Sequence, residues 1–290
     1  MTTPIPVSRI IHTIHATTDI YGCRLLYQDA LGGLVFAENY FPEMDRDCAL
    51  LYVANHMVEP MAARTPDDMT KPYARMAAKI GQSYHSFELK VPDGKAASQA
   101  FRDAGVAVAS DFGSFFFVKA ESTGGVMLEV CELKMPNDPY DRAASVPGSW
   151  GPQIGTGHAS GVLALDHIAC VTADMEAVLR FFTGCVDGEI LSDEVTTLPQ
   201  PGRRVLIRLG DTNVAFIQPD DAGSGPLGDY LGKVQNGIYA LVWQVADAAR
   251  ARTHFEGKVK LRMTAEGCVS SGFAIDPEDF YGARHEFVTA

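Results

Sequence analysis

The sequence predicts an α+β fold made of four βαβββ modules that pair into two cupped, open-barrel halves. The first observation behind this prediction is an internal repeat, in which a histidine lies seven residues before an aspartate, at His12 and Asp19 and again at His167 and Asp174. The second is that each aspartate precedes a short apolar segment typical of a helix, which ends at a glycine. A repeated pattern of this kind indicates a repeated structural unit, so the two halves should share one architecture.

A third copy of the pattern begins at residues 84–93, where polar and apolar residues alternate as in a half-buried strand. A helix is predicted over Gly94–Ala104, ending before Gly105. Glycine- and serine-containing turns then separate three strand-like segments. These segments are Val106–Ser110, Ser114–Lys119 and Val126–Glu132.

A fourth copy begins at residues 238–247 and predicts the helix Ala248–Glu256. Three strands should follow it, at Val259–Met263, Gly272–Asp276 and Arg284–Thr289. One strand–helix–strand–strand–strand unit is too small to bury both faces of its sheet. The modules should therefore pair.

The predicted organisation has residues 1–135 as an N-terminal module pair carrying the site, 136–161 as a linker and 162–290 as a C-terminal pair. The linker region contains several Gly and Pro residues and no apolar periodicity. Residues 62–79 should form a short helix and a loop. An alternative pairs module two with three and module one with four. It would group His85, Glu129, His167 and Gln218 in one site, and His12, Glu59, Tyr239 and Glu286 in another.

Composition excludes several classes of function. The net charge of −12 argues against nucleic acid or an anionic membrane as partner, since both need positive charge. No segment approaches the roughly 20 apolar residues of a membrane span. The six cysteines are scattered and form no CxxC motif, which indicates reduced thiols in a cytoplasmic protein. Phosphate-loop, nucleophile-elbow and dinucleotide motifs are absent, so the expected partner is a small molecule.

A βαβββ repeat with a strand-opening histidine and a strand-closing glutamate resembles the vicinal oxygen chelate superfamily. That superfamily includes glyoxalase I, methylmalonyl-CoA epimerase, fosfomycin- and bleomycin-resistance proteins and the extradiol dioxygenases. The resemblance covers nearly the whole chain, although its motifs are diffuse. It implies an open barrel around one divalent metal, with ligands on the first and last strands of each module.

Carried over by position, the resemblance implies one ligand set in each half. The first set is similar to that of metal-dependent glyoxalase I and comprises His12, Glu59, His85 and Glu129. The second has a phenol in place of one imidazole and comprises His167, Gln218, Tyr239 and Glu286, so we expect it to be degenerate. Such imidazoles and carboxylates suit Fe(II), Ni(II), Co(II), Mn(II) or Zn(II). Glu59 or Glu129 would move the proton.

Several histidines and carboxylates compete with these candidates. His15 rivals His12 but should point to the opposite face, because side chains alternate along a strand. A shift in register would bring His56 inward in place of Glu59. Glu132 rivals Glu129 but lies at a strand end. Surface positions are expected for the three remaining histidines, His158, His254 and His285.

Three functions follow from the resemblance and the ligand set. The leading hypothesis is a metal-dependent lyase or isomerase that chelates the vicinal oxygens of a small organic substrate and stabilises an enolate-like intermediate. The second is an Fe(II) extradiol-type ring-cleaving dioxygenase using His12, His85 and Glu129. The third is a metal-free protein that sequesters a hydrophobic compound, with a homodimer as one expected assembly. An aromatic substrate would fit a pocket lined by Tyr27, Phe36, Tyr40, Phe115 and Phe117.

Overall fold

A computed structural model describes residues 3–132, 157–234, 237–259, 261–264, 267–269 and 272–290. Residues 136–156 of the predicted linker lie outside the described residues. The boundaries predicted for the two module pairs therefore stay a prediction.

All four predicted modules are present, each with the element order strand, helix, strand, strand, strand. Module one comprises β1 (Arg9–Ala16), α1 (Ile20–Leu31), β2 (Leu34–Phe41), β3 (Arg46–Val53) and β4 (His56–Ala63), and is followed by α2 (Pro72–Ile80). Module two comprises β5 (Ser83–Lys90), α3 (Gly94–Asp103), β6 (Val108–Ala109), β7 (Phe115–Val118) and β8 (Met127–Cys131). Helix α2 confirms the short helix and loop predicted between these modules.

The second half repeats this order. Module three comprises β9 (Val162–Val171), α4 (Met175–Arg180), β10 (Glu189–Thr196), β11 (Gly202–Leu209) and β12 (Thr212–Pro219), and is followed by α5 (Gly225–Val234). Module four comprises β13 (Gly237–Val245), α6 (Ala248–His254), β14 (Met263–Thr264), β15 (Phe273–Ile275) and β16 (His285–Thr289). Helices α4 and α6 continue into single π-helical turns, Phe181–Cys185 and Phe255–Val259.

Two eight-stranded sheets result from this repeat. The first has the strand order β2-β3-β4-β1-β5-β8-β7-β6, and the second has the matching order β10-β11-β12-β9-β13-β16-β15-β14. By its internal contacts the chain also divides into two compact units. One unit is Met1–Ile11, Ser86–Leu133 and His167–Ala240, and the other is His12–His85, Lys134–Asp166 and Leu241–Ala290. The α+β class and the four-module architecture are confirmed.

The aspartate of the repeat begins the helix of every module. Each of the four side chains accepts a hydrogen bond from the backbone N–H three residues on, as an N-cap does, at 2.8–3.0 Å. The four residues are Asp19, Asp93, Asp174 and Asp247. At the other end of α1, Gly32 has a φ of 75°, a left-handed conformation that glycine adopts without steric cost.

The register of β1 and β4 decides which side chains of module one can meet. These strands are parallel neighbours, with His12 opposite Met57, Ile14 opposite Glu59 and Ala16 opposite Met61. Residues opposite each other project from the same face, and successive residues along a strand project from opposite faces. One face of β1 and β4 therefore carries His12 and Glu59, and the other carries His15.

Among the described helices, none combines the length and the apolar character needed to cross a membrane.

Candidate active site

His12 and Glu59 form a direct contact inside module one. The Nε2 atom of His12 lies 3.1 Å from Oε2 of Glu59, and the two residues are only 2% and 3% exposed. The parallel register pairs Glu59 with Ile14, two residues beyond His12 and on the same face. Of the four predicted ligands in this half, these two are brought together as an enclosed imidazole–carboxylate pair.

Cys48 and Tyr73 enclose this pair. Burial raises the pKa of the Cys48 thiol, and the charge of Glu59 and a hydrogen bond to its carboxylate add to the effect. Tyr73 belongs to α2, and its hydroxyl donates to the carbonyl oxygen of Met61 at 3.0 Å. Its ring completes an apolar cluster with Ile14, Cys48 and Met61. Helix α2 thus covers the face that carries His12 and Glu59.

Arg46 adds a buried positive charge to the same region. It is 3% exposed, and its guanidinium carbon lies 4.8 Å from the centre of the Phe41 ring. Burial raises the pKa of Tyr73, and the positive charge of Arg46 opposes that rise while the negative charge of Glu59 adds to it. Arg46 and Glu59 therefore act on one common neighbour from within the same cluster.

His85 is partly exposed, and the charge of Arg46 also affects its pKa. Burial of the ring, followed by the charge of Arg46, lowers the pKa of His85 to about 4. The imidazole is therefore neutral at pH 7. Its position is one residue before the first registered pair of β5 and β8, Ser86 opposite Met127.

Glu129 lies on β8 opposite another carboxylate. The parallel register pairs it with Glu88, and the two residues are 5% and 2% exposed. Residues opposite each other in parallel strands project from the same face. Two carboxylates thus lie side by side in the unit that contains Ser86–Leu133.

The second candidate set is occupied differently. Glu286 is fully buried, its Oε1 accepts a hydrogen bond from Nε of Arg284 at 2.7 Å, and its Oε2 accepts one from the backbone N–H of Cys268 at 2.7 Å. Both oxygens of this carboxylate are engaged by the chain itself. The ion pair with the Arg284 guanidinium compensates the buried negative charge of Glu286.

The other second-half candidates have mainly packing or capping surroundings. His167 is 1% exposed, and the ring of Tyr239 packs edge-on against Tyr230 with 5.2 Å between centroids. The side-chain oxygen of Gln218 accepts from the backbone N–H of Met175 at 3.1 Å, at the start of α4. Gln218 therefore caps the first turn of α4.

The rival residues are resolved by the register. His56 Nε2 hydrogen-bonds the hydroxyl of Thr13 at 2.9 Å, on the face of β1 opposite His12. His15 is fully buried on that same opposite face, where its Nε2 donates to the carbonyl oxygen of Tyr281 at 2.9 Å. Its Nδ1 accepts from the hydroxyl of Tyr27 at 3.0 Å, so the Tyr27 ring belongs to the core.

The surface positions expected for His254 and His285 are wrong. His285 is fully buried. Trp243 Nε1 donates to its Nδ1 at 3.0 Å, and the Tyr84 hydroxyl lies 3.3 Å from the same ring. His254 is 8% exposed, and its Nε2 hydrogen-bonds the carbonyl oxygen of Ala30 at 3.2 Å. Both imidazoles contact partners from distant parts of the chain, and nothing in the flanking sequence marks them.

The donor set was tested against the predicted divalent metal. His12 and Glu59 are near enough to be two ligands of one ion. However, the His, Cys, Asp and Glu side chains of the described ranges form no group of three that could hold a metal. A buried guanidinium in the same cluster also disfavours a cation, because like charges repel at low dielectric. The residues present in the described ranges do not fit a complete metal site.

Sequence reasoning missed Arg46, Tyr73 and Arg284. Arg284 stands two residues before Glu286, a spacing that places both side chains on one face of an extended segment, so the sequence contained this signal. Arg46 opens an otherwise largely apolar strand, which is a weaker sign. Tyr73 had no signal, because only the packing of α2 brings it over β4.

Comparisons with known proteins identify the fold. No model of a protein family matches the sequence, and no curated protein matches it. Solved structures do match. A variant of 4-hydroxymandelate synthase from Streptomyces coelicolor has a TM-score of 0.70 at 17% identity, over 97% of this chain and 92% of that one.

Two further solved structures match the chain. The 2,3-dioxygenase LapB from Pseudomonas sp. KL28 has a TM-score of 0.60 at 13% identity, over 99% of this chain and 94% of that one. Methylmalonyl-CoA epimerase from Mycobacterium tuberculosis has a TM-score of 0.40 at 22% identity, over 50% of this chain and 97% of that one. The chain has the vicinal oxygen chelate fold. Identities this low establish the fold and leave the chemistry to the site.

Proposed function

We propose that the chain is an enzyme that moves a proton on a small organic substrate, as an isomerase or lyase does, with His12 and Glu59 as its acid–base pair. The observation that carries this proposal is the 3.1 Å contact between His12 Nε2 and Glu59 Oε2 in an enclosed position. A carboxylate beside an imidazole orients the ring and stabilises the imidazolium that forms when the ring takes a proton.

The chemistry is a proton abstraction next to a carbonyl group. His12 takes the proton from carbon, and Glu59 stabilises the positive charge that develops on the ring. The electron pair of the broken C–H bond moves onto the carbonyl oxygen and gives an enolate. Return of the proton to the same or the adjacent carbon completes an isomerisation, and loss of a group from the next carbon completes a lyase reaction.

Access to this pair depends on α2. His12 and Glu59 are buried beneath the cluster that Tyr73 completes, so a substrate reaches them only when α2 is displaced. The helix has nine residues, and its N-cap residue, Lys71, makes no side-chain capping hydrogen bond. Because a short helix lacking an N-cap bond is less stable, local opening of α2 has a modest cost.

Deuterium exchange tests the proposal without knowledge of the natural substrate. The protein is incubated in D2O with pyruvate, dihydroxyacetone or glyceraldehyde, and proton NMR follows loss of the signal next to the carbonyl group. We expect exchange with the wild-type chain and loss of exchange with His12→Gln and Glu59→Gln. Exchange that is unchanged in both folded variants would show that this pair does not move the proton.

The metal-free binding protein remains the second candidate. It is favoured by the enclosure of the site under α2 and by the incomplete set of metal donors among the described side chains. It predicts that a compound stabilises the chain and that no deuterium exchange occurs. The Fe(II) dioxygenase alternative needs His12, His85 and Glu129 around one iron, and the described geometry offers no observation in its favour.

A further inference from the structure

We infer that Arg46 is a binding residue for an anionic group, and that the substrate handled by His12 and Glu59 carries a carboxylate. The statement that the ligand is a substrate rests on the proposed function. The anion site itself rests on Arg46 alone. A substrate carboxylate at the guanidinium would hold the neighbouring carbon near the acid–base pair.

The first step is the state of the guanidinium. Arg46 is 3% exposed, and among the described residues its Nε has no hydrogen-bond partner. Buried arginines are normally paired, because an uncompensated charge in the interior costs several kcal/mol. A guanidinium with a free buried donor is therefore prepared to receive a negatively charged ligand.

The second step concerns three carboxylates of the same module, each of which has a partner other than Arg46. Asp45 accepts hydrogen bonds from Tyr40 at 2.9 Å and from Thr65. Asp47 accepts from Nε of Arg64 at 3.0 Å. Glu59 is taken by His12. Within the described part of the chain none of these three carboxylates pairs with Arg46, so its Nε donor is available to a ligand from outside the chain.

The third step is location. The ring of Phe41 lies under the guanidinium at 4.8 Å, which fixes its plane. The charge of Arg46 acts on both Tyr73 and Cys48, and so does the charge of Glu59. The anion site and the acid–base pair therefore border one cluster. The planar fork of a guanidinium matches a carboxylate with two parallel hydrogen bonds, which favours a small carboxylic acid as ligand.

Binding is tested by thermal unfolding of the full chain with pyruvate, malonate, inorganic phosphate or uncharged malonamide. For the wild type, we expect pyruvate or malonate at saturating concentration to raise Tm by about 2–4 °C, and malonamide to have no effect. Arg46→Met, which keeps the packing on Phe41, should weaken the apparent affinity about 10–100-fold. Arg46→Lys should retain part of the affinity.

Arg64→Met is the matched control, because Arg64 is exposed and paired with Asp47. It should respond to carboxylates like the wild type. An equal response of Arg46→Met and wild type, or a response to phosphate alone, would overturn the inference. Arg46→Met removes a buried charge and keeps an apolar stem against Phe41, so it should fold, and Arg46→Lys serves if it does not.

The two proposals fail separately. A carboxylate shift that needs Arg46, together with no deuterium exchange on any probe, would leave the anion site standing and remove the proton-transfer function. Exchange that needs Glu59, together with no Arg46-dependent shift, would do the reverse. If both hold, Arg46→Met should raise KM for pyruvate exchange far more than it lowers kcat.

Discussion

Glu59 and Glu286 are the strand-closing carboxylates of modules one and four, and they have opposite surroundings. Each lies on a strand that runs parallel to the first strand of its module, Glu59 opposite Ile14 and Glu286 opposite Val242. Glu59 contacts an imidazole, which exchanges protons near neutral pH. Glu286 contacts a guanidinium, which does not. One position in a repeat thus supports proton chemistry in one module and a structural ion pair in the other.

The largest expected effect falls on activity at Glu59. Glu59→Gln should lower deuterium exchange on a competent probe about 10²–10⁴-fold, because the imidazolium formed on His12 loses its counter-charge. Glu132→Gln is the control, since Glu132 is exposed and its carboxylate accepts from the N–H of Gly94. NMR exchange rates at equal folded concentration give the comparison. Equal rates for the two variants would remove the functional difference between Glu59 and Glu286.

The next effect falls on stability at Glu286. Arg284→Met leaves a fully buried carboxylate without its ion-pair partner and should cost about 3–5 kcal/mol of unfolding free energy. The double variant Arg284→Met with Glu286→Leu should recover much of this loss, because an apolar pair carries no desolvation penalty. Urea unfolding measures all three chains. A small cost for Arg284→Met alone would mean that the pair is not what stabilises Glu286.

The third prediction concerns two buried imidazoles, His15 on β1 and His285 on β16. Burial lowers the pKa of His15 to about 4 and holds that of His285 well below its usual value, so both are neutral when folded. In the unfolded chain a histidine takes up a proton near pH 6.5. The contribution of these neutral imidazoles to the unfolding free energy is therefore complete above pH 6.5 and is lost as the pH falls toward 4. His15 alone should contribute about 3 kcal/mol to that loss.

Unfolding free energy measured between pH 7 and pH 4 checks this expectation. His15→Gln should flatten the pH dependence, because it removes a titrating group. The variant should still fold, since its amide can hydrogen-bond Tyr27 and the carbonyl oxygen of Tyr281. A wild-type profile that stays level down to pH 4 would contradict the assignment of His15 as a neutral structural imidazole.

The smallest expected effect tests the cover over Glu59. Tyr73→Phe removes one hydrogen bond, to the carbonyl oxygen of Met61, and should cost about 1 kcal/mol. It should also increase amide hydrogen exchange in α2 and leave the rest of the chain unchanged. Tyr230→Phe is the matched variant, because Tyr230 lies on α5, the helix that corresponds to α2 in the other half, and its hydroxyl donates to the carbonyl oxygen of Ile238. Unchanged exchange in α2 would show that Tyr73 does not hold the helix closed.

Much of this protein is determined by its sequence. The aspartates of the repeat mark the first turn of every helix, since an N-cap bond spans only three residues. Alternation along the strands separates His12 from His15 without any knowledge of the sheet. Such signals are local, because each depends on residues within one turn or one strand, and together they predict four modules, the fold class and the face on which His12 lies.

The tertiary structure decided what those side chains meet. The register of β1 and β4 placed Glu59 rather than His56 on the face of His12. Packing brought α2 and Arg46 to the same cluster, and it enclosed His285 with Trp243 and Tyr84. The choice of partner for a buried charge depends on register and on segments far apart in the chain. Neighbouring sequence does not encode these relations, so the repeat predicted the scaffold and only folding distinguished Glu59 from Glu286.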